Sequence, residues 1–79
     1  MKISIIVTLK KEVLDPQGKV VGQTLKNMGY DNISGVRQGK YFEIIVDEKD
    51  KNKAKTVADE ACRKLLANLI IEDYSINIQ

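Results

Sequence analysis

The sequence predicts an α+β fold: a two-layer sandwich in which a four-stranded antiparallel sheet carries two helices on one face. Two observations lead there. Four segments, residues 2–9, 32–38, 41–47 and the stretch after residue 70, alternate apolar and polar side chains as strands do. Between them, residues 16–28 and 50–67 repeat apolar side chains at three- and four-residue steps, as amphipathic helices do. The order is therefore β-α-β-β-α-β, and residues 1–79 read as one domain without linker, repeat or low-complexity segment.

Each element has a local cause. In residues 2–9, Ile3, Ile5, Val7 and Leu9 point one way and Ser4, Ile6 and Thr8 the other. Asp15-Pro16 starts the first helix: Asp15 caps free N–H groups, and Pro16 suits the first helical position because its missing N–H needs no partner there. Val21, Leu25 and Met28 form its apolar stripe, with Val20 alongside, and Gly29 suits the left-handed turn that ends it. Gly18 and Gly22 lie four apart on this helix. They read either as a place where another backbone comes close or as a poorly optimised solvent face, the second being the leading reading. Gln38-Gly39-Lys40 reads as a short turn joining residues 32–38 and 41–47 into a hairpin, with a bulge at Ser34-Gly35.

In the second strand of that hairpin Phe42, Ile44 and Val46 share one face, and Tyr41, Glu43 and Ile45 the other. Asp50 caps the second helix, Ala54, Val57, Ala58, Ala61, Cys62, Leu65 and Leu66 form its apolar stripe, and Asn68 can end it. Ile70 and Ile71 lead into a last strand in which Tyr74, Ile76 and Ile78 alternate with Asp73, Ser75 and Asn77. Two right-handed crossovers around a central hairpin make the arrangement ferredoxin-like. Its open sheet face, with Ile6, Tyr41 and Ile45 among polar neighbours, is a place for a second subunit.

Composition narrows the chemistry. The chain has no histidine, the commonest general acid–base and metal ligand near neutral pH, so metal sites and charge-relay triads are disfavoured. A single cysteine excludes an internal disulfide. A chain of 79 residues buries only about 60% of its unfolded surface, so partner subunits are the expected reinforcement. The net charge of +2, spread among interleaved signs, is too weak to point to nucleic acid. No apolar run is long enough to span a membrane and the first residues already read as a strand, so a cytoplasmic location is expected.

The remaining chemical candidates weaken on inspection. Cys62 lies on the apolar helical stripe, where burial raises a thiol pKa and makes it inert. Glu72 and Asp73 are adjacent on a strand and point to opposite faces, so they do not share a metal or divide acid and base roles. No phosphate-binding glycine pattern is present. RNA-recognition modules share this element order, but they place aromatics two apart on an open strand. Here Tyr41 and Phe42 are adjacent and face opposite ways, with Glu43 beside Tyr41.

Four stretches carry a more specific signal. They are Leu9-Lys10-Lys11-Glu12-Val13-Leu14-Asp15-Pro16-Gln17-Gly18, Val36-Arg37-Gln38-Gly39-Lys40-Tyr41, Cys62-Arg63-Lys64-Leu65-Leu66-Ala67-Asn68 and Ile71-Glu72-Asp73-Tyr74. In this order and spacing, across nearly the whole chain, they resemble the PurS family. The resemblance implies a small non-catalytic subunit of phosphoribosylformylglycinamidine (FGAM) synthase, acting in purine synthesis. It would bridge a glutaminase subunit and a large ATP-dependent synthetase subunit, as a homodimer or homotetramer. No cofactor is expected on this chain; the complex would use ATP, Mg2+ and glutamine.

The residues left without a core role are then the expected partner contacts: Asp15 and Gln17 at the first helix start, Arg37, Lys40 and Tyr41 at the hairpin, and Asn68, Glu72, Asp73 and Tyr74 around the last connection. A small-molecule regulatory module, with Gly18 and Gly22 admitting a ligand, is the alternative, and an RNA-binding domain ranks below it.

Overall fold

β1 (Lys2–Leu9) is the central strand of a computed structural model that describes residues 1–79. It pairs antiparallel with β2 (Gly39–Ile45) on one side and with β3 (Glu72–Ile78) on the other, giving the sheet order β2-β1-β3. α1 (Pro16–Asn27) lies between β1 and β2 in sequence. α2 (Lys51–Ala61), continued by a single π-helical turn (Cys62–Leu66), lies between β2 and β3. No helix is long and apolar enough to cross a membrane.

The register sorts the side chains as the alternation predicts. Ile3, Ile5 and Val7 stand opposite Ile44, Phe42 and Lys40 on one side and opposite Ile78, Ile76 and Tyr74 on the other. Against this face α2 lays Ala54, Ala58 and Cys62, spaced four apart, and with Ala67 they complete a core of seven buried apolar residues. The small side chains on α2 let it sit close to the branched residues of β1. Ile6 opposite Tyr41, and Lys2 opposite Ile45, occupy the uncovered face. Asp50 caps α2 by accepting from Asn52 N and Lys53 N, and Asp15 caps α1 by accepting from Gly18 N. Gly29, at φ +100°, ends α1 in the left-handed conformation.

Three expectations change. The sheet has three strands, not four: residues 33–38 form no strand, and the expected hairpin and its Ser34-Gly35 bulge are absent. Gln38-Gly39-Lys40 does not turn. Gly39 opens β2 opposite Thr8, and a Cβ at Gly39 would stand 2.7 Å from the Val7 carbonyl oxygen, so this glycine serves close strand packing. Second, only α2 covers the sheet. α1 buries Gly18 alone and makes no sustained contact with the strands. Third, the α2 stripe is narrower than expected: Val57 is half exposed and Leu65 is 84% exposed. The π turn inserts an extra residue per ring, which turns Leu65 outward and keeps Leu66 against the core. Ile70 and Ile71 lead into the last strand as expected, as exposed turn residues, and β3 starts at Glu72.

The outcome is an open molecule, 49 × 25 × 14 Å, with a radius of gyration of 15.9 Å. A compact chain of this length has a radius near 12 Å. Its accessible surface is 6004 Å², against about 4,800 Å² for a compact monomer of its mass.

Candidate partner-contact site

Asp15 organises the end of the sheet where β1 finishes. Its Oδ1 accepts from Gly18 N and its Oδ2 from Gln38 N, each at 2.9 Å. One carboxylate thus holds the start of α1 to the residue that precedes β2. Gln38 Nε2 donates to Gln17 Oε1 at 2.8 Å, and the Arg37 guanidinium donates to the Leu9 carbonyl. The two backbone N–H groups, Gln38 before Gly18, hold the Asp15 carboxyl below its ordinary value of 3.8, and the Arg37 charge adds to this.

β3 delivers a second set of groups to the same end. Glu72 Oε2 lies 3.6 Å from Lys40 Nζ, and its Oε1 accepts from Asn68 N at 2.7 Å. Asn68 Oδ1 in turn accepts from Ile70 N at 3.1 Å, which closes the turn before β3. Asp73, on the opposite face, pairs with Lys10 at 3.0 Å. Between the two sets lies a hollow of about 220 Å³, lined by Val7, Leu9, Asp15, Gln17, Lys40 and Glu72 among others.

The three groups of residues singled out in the sequence therefore merge into one, without the two tyrosines. Asp15, Gln17, Arg37, Lys40, Asn68 and Glu72 meet at this end, with Asp73 just outside it. Tyr41 lies on the uncovered face, its hydroxyl donating to Glu43 Oε1 and lying 3.0 Å from Ser4 Oγ. That bond, and then Lys2 at 3.3 Å, lower the Glu43 pKa. Tyr74 lies on the core face and donates to Asp59 of α2, which raises its own pKa. Cys62 is fully buried, and burial pushes its thiol above 9.0, so it has no accessible thiolate.

Gln38 is a contributor the sequence reading passed over, and at Gly18 the structure favours the first of its two readings, close approach by another backbone. Gln38 counted only as a turn residue. Gly18 is not on a solvent face: a Cβ there would stand 2.6 Å from the Val36 carbonyl oxygen and 2.5 Å from Asp15 Oδ2. Close backbone approach is the reason for this glycine. Beside this contact a hollow of about 340 Å³ runs along α1, lined by Gly18, Gly22, Ile33 and Val36 among others.

Both Asp15 oxygens accept from N–H donors on different segments, so an amide cannot replace the carboxylate: its NH2 would face one of those donors. Asp15→Asn should lower the melting midpoint by a few degrees at neutral pH. Because the folded pKa is depressed, the stability Asp15 adds is complete well above 3.8 and disappears as pH falls through the lowered value. Melting curves of both proteins from neutral to strongly acidic pH check this: the gap between them should close on acidification. A gap that persists would contradict the role of the charge.

Comparison with known proteins agrees with this architecture. The model of the family PurS, described as phosphoribosylformylglycinamidine (FGAM) synthase, matches residues 2–79. The chain is 41% identical over 78 residues to the PurS subunit of phosphoribosylformylglycinamidine synthase from Bacillus subtilis (strain 168), covering 99% of this chain and 92% of that one. The crystal structure of Methanocaldococcus jannaschii PurS, one of the subunits of formylglycinamide ribonucleotide amidotransferase in the purine biosynthetic pathway, superposes with a TM-score of 0.90 at 38% identity, over 99% of this chain and 94% of that one. A chain in the structure of PurLQS from Thermotoga maritima superposes with a TM-score of 0.89 at 29% identity, over 96% of this chain and 93% of that one.

Proposed function

This chain belongs to the PurS family, the FGAM synthase subunit of purine biosynthesis, and from that premise we propose that it is the non-catalytic subunit that holds the glutaminase and the ATP-dependent synthetase together. The observation that carries the reading is the likeness over nearly the whole chain to a member of the PurLQS assembly. The side-chain chemistry agrees with it. The sole thiol is buried, the perturbed carboxylates are tied up in structural hydrogen bonds, and the hollow at the end of β1 is walled by groups already paired with each other. The chain binds no cofactor in this reading, and ATP, Mg2+ and glutamine are handled by the other subunits, in the cytoplasm.

Ammonia explains why a holding subunit matters. In neutral water it is mostly ammonium, which is not nucleophilic, and a reactive intermediate must be kept from stray water. Docking the glutaminase against the synthetase makes delivery local and supplies the advantage of proximity. The test is FGAM synthesis by the two large subunits with glutamine or with free ammonia, each with and without this chain. Glutamine-driven turnover should depend strongly on it and ammonia-driven turnover should not. Glutamine-driven turnover that is indifferent to its presence would end the proposal.

The chain works as a homo-oligomer, a homodimer or homotetramer. Support comes from its shape: its surface exceeds that of a compact monomer by about 1,200 Å², more than the roughly 800 Å² each partner buries in a standard interface. Val20 on α1 and Met28 just past its end, 66% and 65% exposed, also await cover.

A further inference from the structure

We propose that the hollow between α1 and residues 33–36 is a binding site for a small organic phosphate, held by Lys19 and Lys26. The inference stands apart from the subunit reading, since it concerns binding by this chain alone, and the ligand would be an effector rather than a reactant. The hollow measures about 340 Å³. That lies at the lower end of the roughly 300–1,000 Å³ that takes a whole small molecule.

Its walls are fixed before any ligand arrives. At one end Asp15 Oδ2 accepts from Gln38 N at 2.9 Å, and the Val36 carbonyl rests on Gly18. At the other end Tyr30 N donates to the Leu25 carbonyl at 3.1 Å and Ile33 N to the Tyr30 carbonyl at 3.3 Å. Between these ties the helix side is low, because Gly22 carries no side chain, and the far side is low at Gly35, where a Cβ would meet nothing within 4 Å. The space left open therefore lies between two backbones that are held apart at a set distance.

The charge of the lining has one sign. Lys19 and Lys26 are seven residues apart on α1, two turns, so both stand over the same side of the helix. The four ion pairs of the chain use Lys2, Lys10, Lys40 and Arg63, which leaves both of these lysines without an acid. No carboxylate lines the hollow. Asp15, beside Gly18 at its end, has both oxygens engaged by Gly18 N and Gln38 N. Ser34 adds a hydroxyl to the opposite wall, and Gln23, between the lysines, keeps one amide N–H beyond the bond it donates to Asn27. Two ammonium groups with neutral donors around them suit a phosphate, which lysine binds as a point charge. Ile33 and Val36, both half-buried, are the apolar part of the lining and give an organic body something to rest on.

Calorimetric titration of the full chain tests this, at constant ionic strength. The probes are adenosine 5′-monophosphate, ribose 5-phosphate, inorganic phosphate and, as the uncharged control, adenosine. The two esters should each saturate one site per chain. Inorganic phosphate should bind more weakly, since it leaves Ile33 and Val36 untouched, and adenosine should not bind. The variant carrying Lys19→Gln and Lys26→Gln should bind the esters at least about tenfold more weakly. Both lysines are exposed and unpaired, and Lys26 gives up only its place in the last turn of α1, so this variant should melt close to the parent. Lys55→Gln, an exposed lysine on α2 outside the hollow, should leave binding unchanged. No saturable binding of either ester, adenosine binding as tightly as its phosphate, or equal affinity in the double variant would overturn the proposal.

Discussion

Ile5→Ala should leave the chain largely unfolded at physiological temperature when it is isolated. Ile5 is fully buried at the middle of the central strand, between Phe42 on β2 and Ile76 on β3. Only seven apolar residues form the core. Truncating a buried isoleucine to alanine costs about 2–5 kcal/mol, because a cavity is left as well as transfer energy lost. A domain of this length has about 4–12 kcal/mol in total, and an open shape places this one toward the lower end. Urea titration followed by circular dichroism checks it: the midpoint should fall by half or more, or no folded baseline should remain. A midpoint equal to that of the parent would mean that the partner-facing surfaces, not this core, hold the fold.

Gly18→Ala and Gly22→Ala should have opposite effects, although both glycines lie on one helix four residues apart. In an ordinary exposed helix either change stabilises by about 0.5–1 kcal/mol, since alanine gives up less backbone freedom on folding. At Gly22 the new methyl would meet only the Val36 side chain, Cγ2 at 3.5 Å and Cβ at 3.7 Å, an ordinary contact, so the gain should be seen. At Gly18 it would meet the Val36 carbonyl oxygen at 2.6 Å and Asp15 Oδ2 at 2.5 Å. The carbonyl is backbone and cannot swing aside, so the clash costs about 1–3 kcal/mol, as overpacking does. It also threatens the Asp15 bonds that hold residue 38 to α1. Melting midpoints of the two variants should therefore lie on either side of the parent. Two shifts of the same sign would show that Val36 does not rest on Gly18 in solution.

Where local rules decide an element, the sequence was readable. β1, both helix starts, the Gly29 stop and the two faces of β2 and β3 follow from alternation, capping residues and helical spacing, and the structure has them. The errors arise where a local pattern has a non-local outcome. Residues 32–38 do carry strand-like alternation, but a strand exists only when an edge is offered to it, and within one chain α1 holds that segment elsewhere. Gly39 signalled a turn because glycine often does. Its actual constraint is the Val7 carbonyl across the strand, which no one-dimensional pattern displays.

The π turn at Cys62–Leu66 likewise leaves no mark on spacing, so helical periodicity puts Leu65 inward when it points out. The candidate contact residues are legible in the sequence only as three separate groups. That Asp15, Arg37 and Glu72 meet at one end of β1 depends on two chain crossings and could be learned only from the fold.

The positions of the tyrosines have an optical consequence. The chain has three tyrosines and no tryptophan, so its near-ultraviolet emission is tyrosine emission alone. A carboxylate bonded to a phenol hydroxyl quenches that emission, and Tyr41 and Tyr74 are bonded to Glu43 and Asp59. Tyr30, exposed just beyond α1, makes no such hydroxyl bond and should dominate the emission. A partner that settles on α1 should therefore change the intensity and anisotropy of this emission, with no label needed.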